Sequence, residues 1–376
     1  MRPIQMVDLK QQYHHIKKEV DESVLEVLES TIFIGGKKVQ EFADSLATYL
    51  GSKHVIPCAN GTDALQIALM ALELKPGDEV ITPSFTFVAT TEVVALLQLK
   101  AVFADVDPDT FCMSPESLER CISPRTKAII PVHLYGQAAP MVKILEIANK
   151  HGIPVIEDNA QAIGADYRFP DSTVRKTGTM GLIGTTSFFP SKNLGCYGDG
   201  GAIITDNATL AERLKMIANH GQKVRYYHEM VGCNSRLDAL QAAILNIKLP
   251  KLDTYNASRR RAAEFYNKAF AGLSAVTTPV VAPENSHVYH QYTLKLEGVN
   301  RDGLRDYLEE KGIPSMLYYP VPVHKQKMFD VVNLGELDLP VTDWLTERVI
   351  SLPMHSELDE EQLNYITKHV SDFVQR

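Results

Sequence analysis

Lys192 stands in the run Gly184-Thr-Thr-Ser-Phe-Phe-Pro-Ser-Lys-Asn-Leu-Gly-Cys-Tyr-Gly-Asp-Gly-Gly201, between an expected strand and a glycine-rich turn. A lysine amine is a poor nucleophile while protonated, so covalent chemistry needs it partly buried, where loss of water disfavours the charged form. The β-branched and aromatic residues before Lys192 and the glycines after it allow that burial. A lysine so placed can form a Schiff base with pyridoxal phosphate. Taken alone, a solvated loop lysine is the plainer reading, and the decision rests on whether the rest of a cofactor site is present.

Four further stretches supply what a phosphorylated aromatic aldehyde needs. Asn60-Gly-Thr-Asp63 follows an expected strand and opens a helix over 64–74, so free backbone amides and the positive helix end can hold a phosphate, with the Thr62 hydroxyl as a further donor. Asn and Thr ahead of a helix are also ordinary caps. Ile156-Glu-Asp-Asn-Ala-Gln161 puts Asp158 at the end of a buried strand, where open α/β sheets meet ligands. A carboxylate there can keep a pyridine nitrogen protonated and make the ring an electron sink, or it can cap the next helix. Phe87, closing Pro83-Ser-Phe-Thr-Phe87, offers a face for stacking or a core side chain. Ser187 can donate to the phosphate, although a strand serine needs no ligand to explain it.

Positioning these groups takes a layered chain, and the composition allows one. With 376 residues, 45% hydrophobic and 22% charged, the chain can bury a large core. A net charge of -8 and a pI near 5.9 leave no basic footprint for nucleic acid or an anionic membrane surface, so neither partner is expected. No stretch reads as a signal peptide or a membrane span, so a cytoplasmic protein is expected. Cys58, Cys112, Cys121, Cys196 and Cys233 lack CxxC spacing, so neither a disulfide frame nor a metal site is expected. Ile16, Val20, Val24, Val27 and Leu28 keep helical spacing, and a second helix runs to Gly51. Short β-branched runs near Val55, Val80, Val102, Ile129 and Val155 then alternate with helical stretches, the pattern of a mostly parallel α/β sheet. Two more strands span 185–189 and 202–205, and helix runs from Leu237 to about Phe270. The strand 289–296 and the helices 301–311 and 359–374 read as a smaller α+β unit. A boundary near Lys251 gives domains of 1–250 and 251–376, and 167–180 reads as an exposed loop.

The set Asn60-Gly-Thr62, Gly77-Asp-Glu-Val-Ile-Thr-Pro83, Pro131-Val-His-Leu-Tyr-Gly136, Glu157-Asp-Asn-Ala-Gln161, Ser187-Phe-Phe-Pro-Ser-Lys192 and Gly198-Asp-Gly-Gly-Ala202 resembles, in order and spacing, the DegT/DnrJ/EryC1/StrS family of sugar aminotransferases. The resemblance implies the pyridoxal-phosphate-dependent transferase fold type I. That fold has a large domain built on a mostly parallel seven-stranded sheet flanked by helices, and a smaller C-terminal α+β domain. It further implies Lys192 as the Schiff-base lysine, Asp158 on the pyridine nitrogen, and Gln161 and Phe87 flanking the ring. Gly61, Thr62, Asp63 and Ser187 would surround the phosphate. In the family a second subunit completes each site through the stretch matching Val231-Gly-Cys-Asn-Ser-Arg-Leu-Asp238, so Asn234 would reach the partner's phosphate in a homodimer with shared active sites. Some relatives carry histidine at the lysine position and act as dehydratases; the lysine here implies transfer of an amino group from L-glutamate.

A narrower resemblance lies in Cys58-Ala-Asn-Gly-Thr-Asp-Ala-Leu-Gln-Ile67, Phe188-Phe-Pro-Ser-Lys-Asn-Leu-Gly-Cys-Tyr-Gly198, His220-Gly-Gln222 and Asn234-Ser-Arg-Leu-Asp238. These are similar to members that aminate C3 of UDP-2-acetamido-2-deoxy-ribo-hexuluronic acid, a UDP-linked 3-keto-glucuronate, on the way to surface polysaccharides such as lipopolysaccharide O-antigens. Arg236 suits the C6 carboxylate of that sugar, because a guanidinium meets a carboxylate through two parallel hydrogen bonds. Arginine is frequent at this position across the family and can serve glutamate instead. Thr31, Phe33, Ser191, Tyr318 and Tyr319 are the other substrate contacts implied, and both tyrosines can equally be packing residues before Pro320-Val-Pro322. Close relatives tend to carry Gly, Tyr and His where this chain has Thr31, Phe33 and Tyr318, and its 168–180 loop is longer than theirs, which leaves the exact sugar open. Two other readings stand beside this one: a C4 aminotransferase of a dTDP- or UDP-4-keto-6-deoxy sugar, and a regulator that keeps the fold and transfers nothing.

Overall fold

Apolar runs buried on both faces dictate the centre of the molecule. The computed structural model describes residues 1–329 and 337–376. Its main strands are β1 (His54–Cys58), β2 (Glu79–Pro83), β3 (Lys100–Ala104), β4 (Thr126–Ile129), β5 (Ile156–Asp158), β6 (Ile183–Ser187) and β7 (Gly201–Thr205). Every residue of β2, β6 and β7 is buried, as strands covered by helices on both sides require. A four-stranded portion, β1-β7-β6-β5, meets a three-stranded portion, β4-β2-β3. Parallel bridges Ile129 to Val155 and Val132 to Asp158 join them into one seven-stranded sheet. Only β7 runs against its neighbours, pairing antiparallel with both β1 and β6.

Helices α1 (Leu9–Ser30), α2 (Lys37–Leu50), α3 (Gly61–Ala71), α4 (Ala89–Leu96), α5 (Pro115–Cys121), α6 (Met141–His151), α7 (Ala208–Ala218) and α8 (Ala239–Lys248) accompany the sheet. Their ends follow capping chemistry. Gly51 and Gly152 close α2 and α6 in the left-handed region, where glycine carries no Cβ penalty. Asn60, Ser114 and Asn207 cap α3, α5 and α7 through their side chains.

Beyond α8 the long α9 (Leu252–Phe270) leads to a small antiparallel sheet of β8 (Val276–Thr277), β9 (Tyr292–Leu296) and β10 (Val349–Leu352). Helices α10 (Arg301–Glu310), α11 (Pro340–Arg348) and α12 (Glu360–Val374) complete the described chain. A capping box between Asp359 and Gln362 starts α12. Leu294, Leu304, Ile350, Ile366 and Tyr266 share one core cluster with Ile4, so the N-terminal residues pack onto this C-terminal unit. The Arg2 guanidinium reaches Asp359 at 3.0 Å and reinforces that junction.

The stretch 167–180, expected as an exposed loop, is a β-hairpin pairing Asp166–Arg168 with Val174–Lys176. Its exposed part is confined to the tip, while Tyr167, Thr177 and Met180 are buried. Small polar residues disguised it, because their backbone partners come from far away: Gly178, Met180 and Gly181 all donate amides to the buried Glu157 carboxylate. Among the described residues no helix is long and apolar enough to cross a membrane.

Candidate active site

A cleft of about 740 Å3 opens where the parallel strands end, roofed by the segments around 290 and 318 of the C-terminal unit. Seven-stranded α/β topology makes this end the natural ligand site, since loops leaving successive strands diverge there. Lys192 reaches it on a tight turn after β6. The Lys192 amide donates to the Phe189 carbonyl at 2.8 Å and the Cys196 amide to the Phe188 carbonyl at 2.8 Å. Gly195 permits this fold-back, because a Cβ there would lie 2.3 Å from the Pro190 carbonyl oxygen. The buried Lys248 of α8 donates to the Gly195 carbonyl at 2.5 Å. Cys196 is a buried packing residue whose Sγ faces the Phe188 carbonyl at 3.0 Å. Lys192 keeps part of its surface open to the cleft. The enclosing protein lowers its pKa from the ordinary 10.5 to about 8, and the Asp158 charge opposes that fall. A substantial neutral fraction near neutral pH follows.

Asp158, at the end of β5, lines the same cleft and is 5% exposed. Its carboxylate is held from two directions: Thr90 Oγ1 donates to Oδ2 at 2.8 Å and the Ala160 amide to Oδ1 at 3.1 Å. On the opposite face of β5 the neighbouring Glu157 is fully buried against His133 Nε2 at 2.7 Å. The Ala139 amide donates to His133 Nδ1 at 3.0 Å, so the neutral ring carries its proton on Nε2 and donates to Glu157. Strand β5 is therefore anchored behind the acid it presents.

At the start of α3, Asn60 Oδ1 accepts the Asp63 amide at 2.8 Å and the Asn60 carbonyl accepts the Ala64 amide at 3.1 Å. The Gly61 and Thr62 amides remain for a ligand at a helix N-terminus, beside the Ser187 hydroxyl. A Cβ on Gly61 would stand 2.8 Å from Ser187 Cβ, so the cradle closes only around glycine. Asp63 lines this end too, with its amide already committed.

The remaining walls are aromatic and amide groups. Phe87 is 54% exposed and faces the cleft, whereas Phe85 is the core residue of that stretch. Gln161 is pinned at both ends: its Oε1 accepts the Tyr135 amide at 2.8 Å and its Nε2 donates to Tyr319 Oη at 2.9 Å. Burial holds the Tyr319 phenol well above its ordinary range, so it stays protonated. Tyr135 Oη donates to the Tyr318 carbonyl, and Ser191 and Tyr318 line the cleft as well.

Four expected residues lie elsewhere in the single chain. Asn234 and Arg236 line a second cavity of about 430 Å3, which shares Asp199 with the main cleft. Ile34, which follows Thr31 and Phe33, lines this second cavity and bridges Asp238. The Phe33 carbonyl accepts the Ala239 amide at 2.9 Å. Sequence reasoning missed Thr86, Thr90, Asp199, His290 and Gln291. Burial, with the nearby charges of Lys192 and Arg259, holds the His290 imidazole well below its ordinary range. No local pattern marks these residues, since a threonine at the second position of α4 and a histidine before β9 gain meaning only when folding brings them to the cleft.

The donor set fits pyridoxal phosphate: a phosphate cradle at a helix N-terminus, a buried carboxylate for the ring nitrogen, an exposed aromatic face and an amine of lowered pKa. Comparison with known proteins agrees. A UDP-2-acetamido-2-deoxy-3-oxo-D-glucuronate aminotransferase from Pseudomonas aeruginosa is 47% identical, over 96% of this chain and 98% of its own. A pleiotropic regulatory protein from Geobacillus stearothermophilus is 45% identical over 98% of each chain. The solved structure of DesV from S. venezuelae in complex with a ketimine intermediate superposes with a TM-score of 0.95 at 38% identity, covering 100% of both chains. The model of the DegT/DnrJ/EryC1/StrS aminotransferase family matches residues 14–371, and the chain belongs to that family of pyridoxal-phosphate-dependent sugar transaminases.

Proposed function

We propose that the protein moves the amino group of L-glutamate to C3 of UDP-2-acetamido-2-deoxy-3-keto-glucuronic acid, a step toward sugars of bacterial surface polysaccharide. The observation that carries the transfer chemistry is the presence in one cleft of a lysine of lowered pKa and a buried, doubly hydrogen-bonded aspartate. When bound, pyridoxal phosphate supplies an aldehyde for amine exchange and a pyridine ring that withdraws electrons. Gly61, Thr62 and Ser187 would hold its phosphate, Phe87 and Gln161 would flank its ring, and Asp158 would keep the ring nitrogen protonated. Lys192 Nζ would serve as the general base that takes a proton from the carbon bearing the amino group and as the general acid that returns one, first for glutamate and then in reverse for the keto sugar.

The uronate is supported by the substrate in the name of the Pseudomonas relative and by Arg236. Among the described residues this guanidinium has no acidic partner, only Asn219 Oδ1 at 3.4 Å, so it is available to a carboxylate. Two copies of the chain would complete each other's clefts, with Thr31, Phe33, Asn234 and Arg236 of one copy serving the other. Supporting this are large apolar side chains left open in the segments that carry these residues: Leu28 at 46%, Ile32 at 55%, Tyr226 at 75%, Tyr227 at 71% and Val231 at 83% exposure.

The test uses purified protein loaded with pyridoxal phosphate. L-Glutamate should bleach its visible band, and the 3-keto uronate should restore it. Lys192→Ala should abolish both, and Arg236→Ala should raise KM for the uronate at least tenfold. Turnover of uncharged 4-keto-6-deoxy sugars that survives Arg236→Ala points to the C4 reaction. A band indifferent to glutamate points to the regulatory role that the Geobacillus relative's name describes.

A further inference from the structure

Asn193 follows Lys192 on the turn beneath the cleft and is 3% exposed. Its Nδ2 donates to Asn256 Oδ1 at 2.7 Å and to the Val288 carbonyl at 2.9 Å. A backbone carbonyl only accepts, so the amide orientation of Asn193 is dictated and both of its protons are committed. Val288 lies two residues before His290, which with Gln291 forms the C-terminal wall of the cleft. Among the described residues no other side-chain hydrogen bond runs from the turn 189–196 to the segment 285–292.

Helix α9 holds the far side of this link. Asn256 Nδ2 donates to the Ile163 carbonyl at 3.3 Å. One turn further, the buried Arg259 donates to the carbonyls of Tyr289 at 3.0 Å, His290 at 3.3 Å and Met354 at 2.9 Å. One face of α9 therefore grips both the lysine turn and the wall opposite it. We infer that Asn193 is a positioning residue that registers the Lys192 amine against the His290–Gln291 wall, with α9 as their common reference. The inference rests on Lys192 being the covalent residue. Its physical basis is that an amine serving both a cofactor carbon and a substrate carbon tolerates little displacement: a shift of about 1 Å can cost about 100-fold in rate.

The experiment follows capture of pyridoxal phosphate by cofactor-free protein. The Lys192 nitrogen bonds to the aldehyde carbon, the carbonyl oxygen leaves as water, and borohydride then traps the product for peptide mass analysis. Asn193→Ala should slow capture on Lys192 roughly tenfold or more. Competition by inorganic phosphate should be unchanged, because Gly61, Thr62 and Ser187 are untouched. Asn256→Ala removes the same bond from the other side and should slow capture as well. The double variant should be no more than about twofold slower than the slower single. Capture by Asn193→Ala within twofold of the parent, additive losses in the double variant, or a parallel loss of phosphate affinity each overturns the positioning role. Trapping on a residue other than Lys192 in the parent overturns the covalent assignment and this inference with it.

Discussion

The Lys192 amine should titrate near pH 8, and its midpoint should move further down when Asp158 loses its charge. Burial penalises the ammonium form, and the aspartate is the one group opposing that penalty, so the two act with opposite signs. Moving the pKa from the ordinary 10.5 to about 8 raises the neutral fraction at pH 7 from roughly 0.03% to roughly 9%, a gain of about 300-fold in reactive amine. Reductive methylation of cofactor-free protein with limiting formaldehyde and cyanoborohydride, read by peptide mass spectrometry from pH 6 to pH 11, measures this directly. Lys18, whose side chain is 87% exposed, serves as an internal reference in the same digest. The labelling curve of Lys192 should rise about tenfold per pH unit at low pH and level off above pH 8. In Asp158→Asn the whole curve should shift to lower pH. A Lys192 midpoint near 10.5, or an upward shift in Asp158→Asn, refutes the reasoning.

Three further outcomes follow from the same geometry. Gly61→Ala drives a methyl into Ser187, so it should cost about 1–3 kcal/mol of stability in a thermal melt and weaken both pyridoxal phosphate and inorganic phosphate binding. Thr90→Val keeps the shape but removes the hydroxyl donor to Asp158; kcat should fall roughly tenfold with KM for glutamate within threefold, and Thr90→Ser should restore most of the loss. Glu157→Ala strips three amides and His133 of their buried acceptor, so denaturant unfolding should show a loss of about 3–5 kcal/mol.

Periodicity carried the sheet. Runs such as Val80-Ile81 and Val155-Ile156 are too apolar to sit anywhere but between two helical layers, whereas the order of the strands in the sheet came only from the fold. The hairpin at 166–176 escaped because its pairing is local but its anchor, Glu157, is distant in sequence. That Asn60–Asp63, Asp158, Ser187 and Lys192 are candidates was legible for a related reason, and the fold gathers them in one cleft. A phosphate cradle, a strand-end acid and a lysine on a glycine-rich turn are each local motifs whose backbone geometry follows from neighbouring residues.

Residue types and spacing alone determined the α/β class and marked Lys192, Asp158 and Asn60-Gly-Thr62 as candidates, because each of those features depends on contacts within a few positions along the chain; their roles came from the family resemblance. Tertiary structure decided the rest. It brought Thr90 to Asp158 and Asn193 to Val288, separations of 68 and 95 residues that no periodicity encodes. It also placed Arg236 and Asn234 in a second cavity, apart from the Lys192 cleft of the same chain. The amine's lowered pKa belongs to this second group, because it arises from how many protein atoms replace water around one nitrogen, and only the packed fold sets that number.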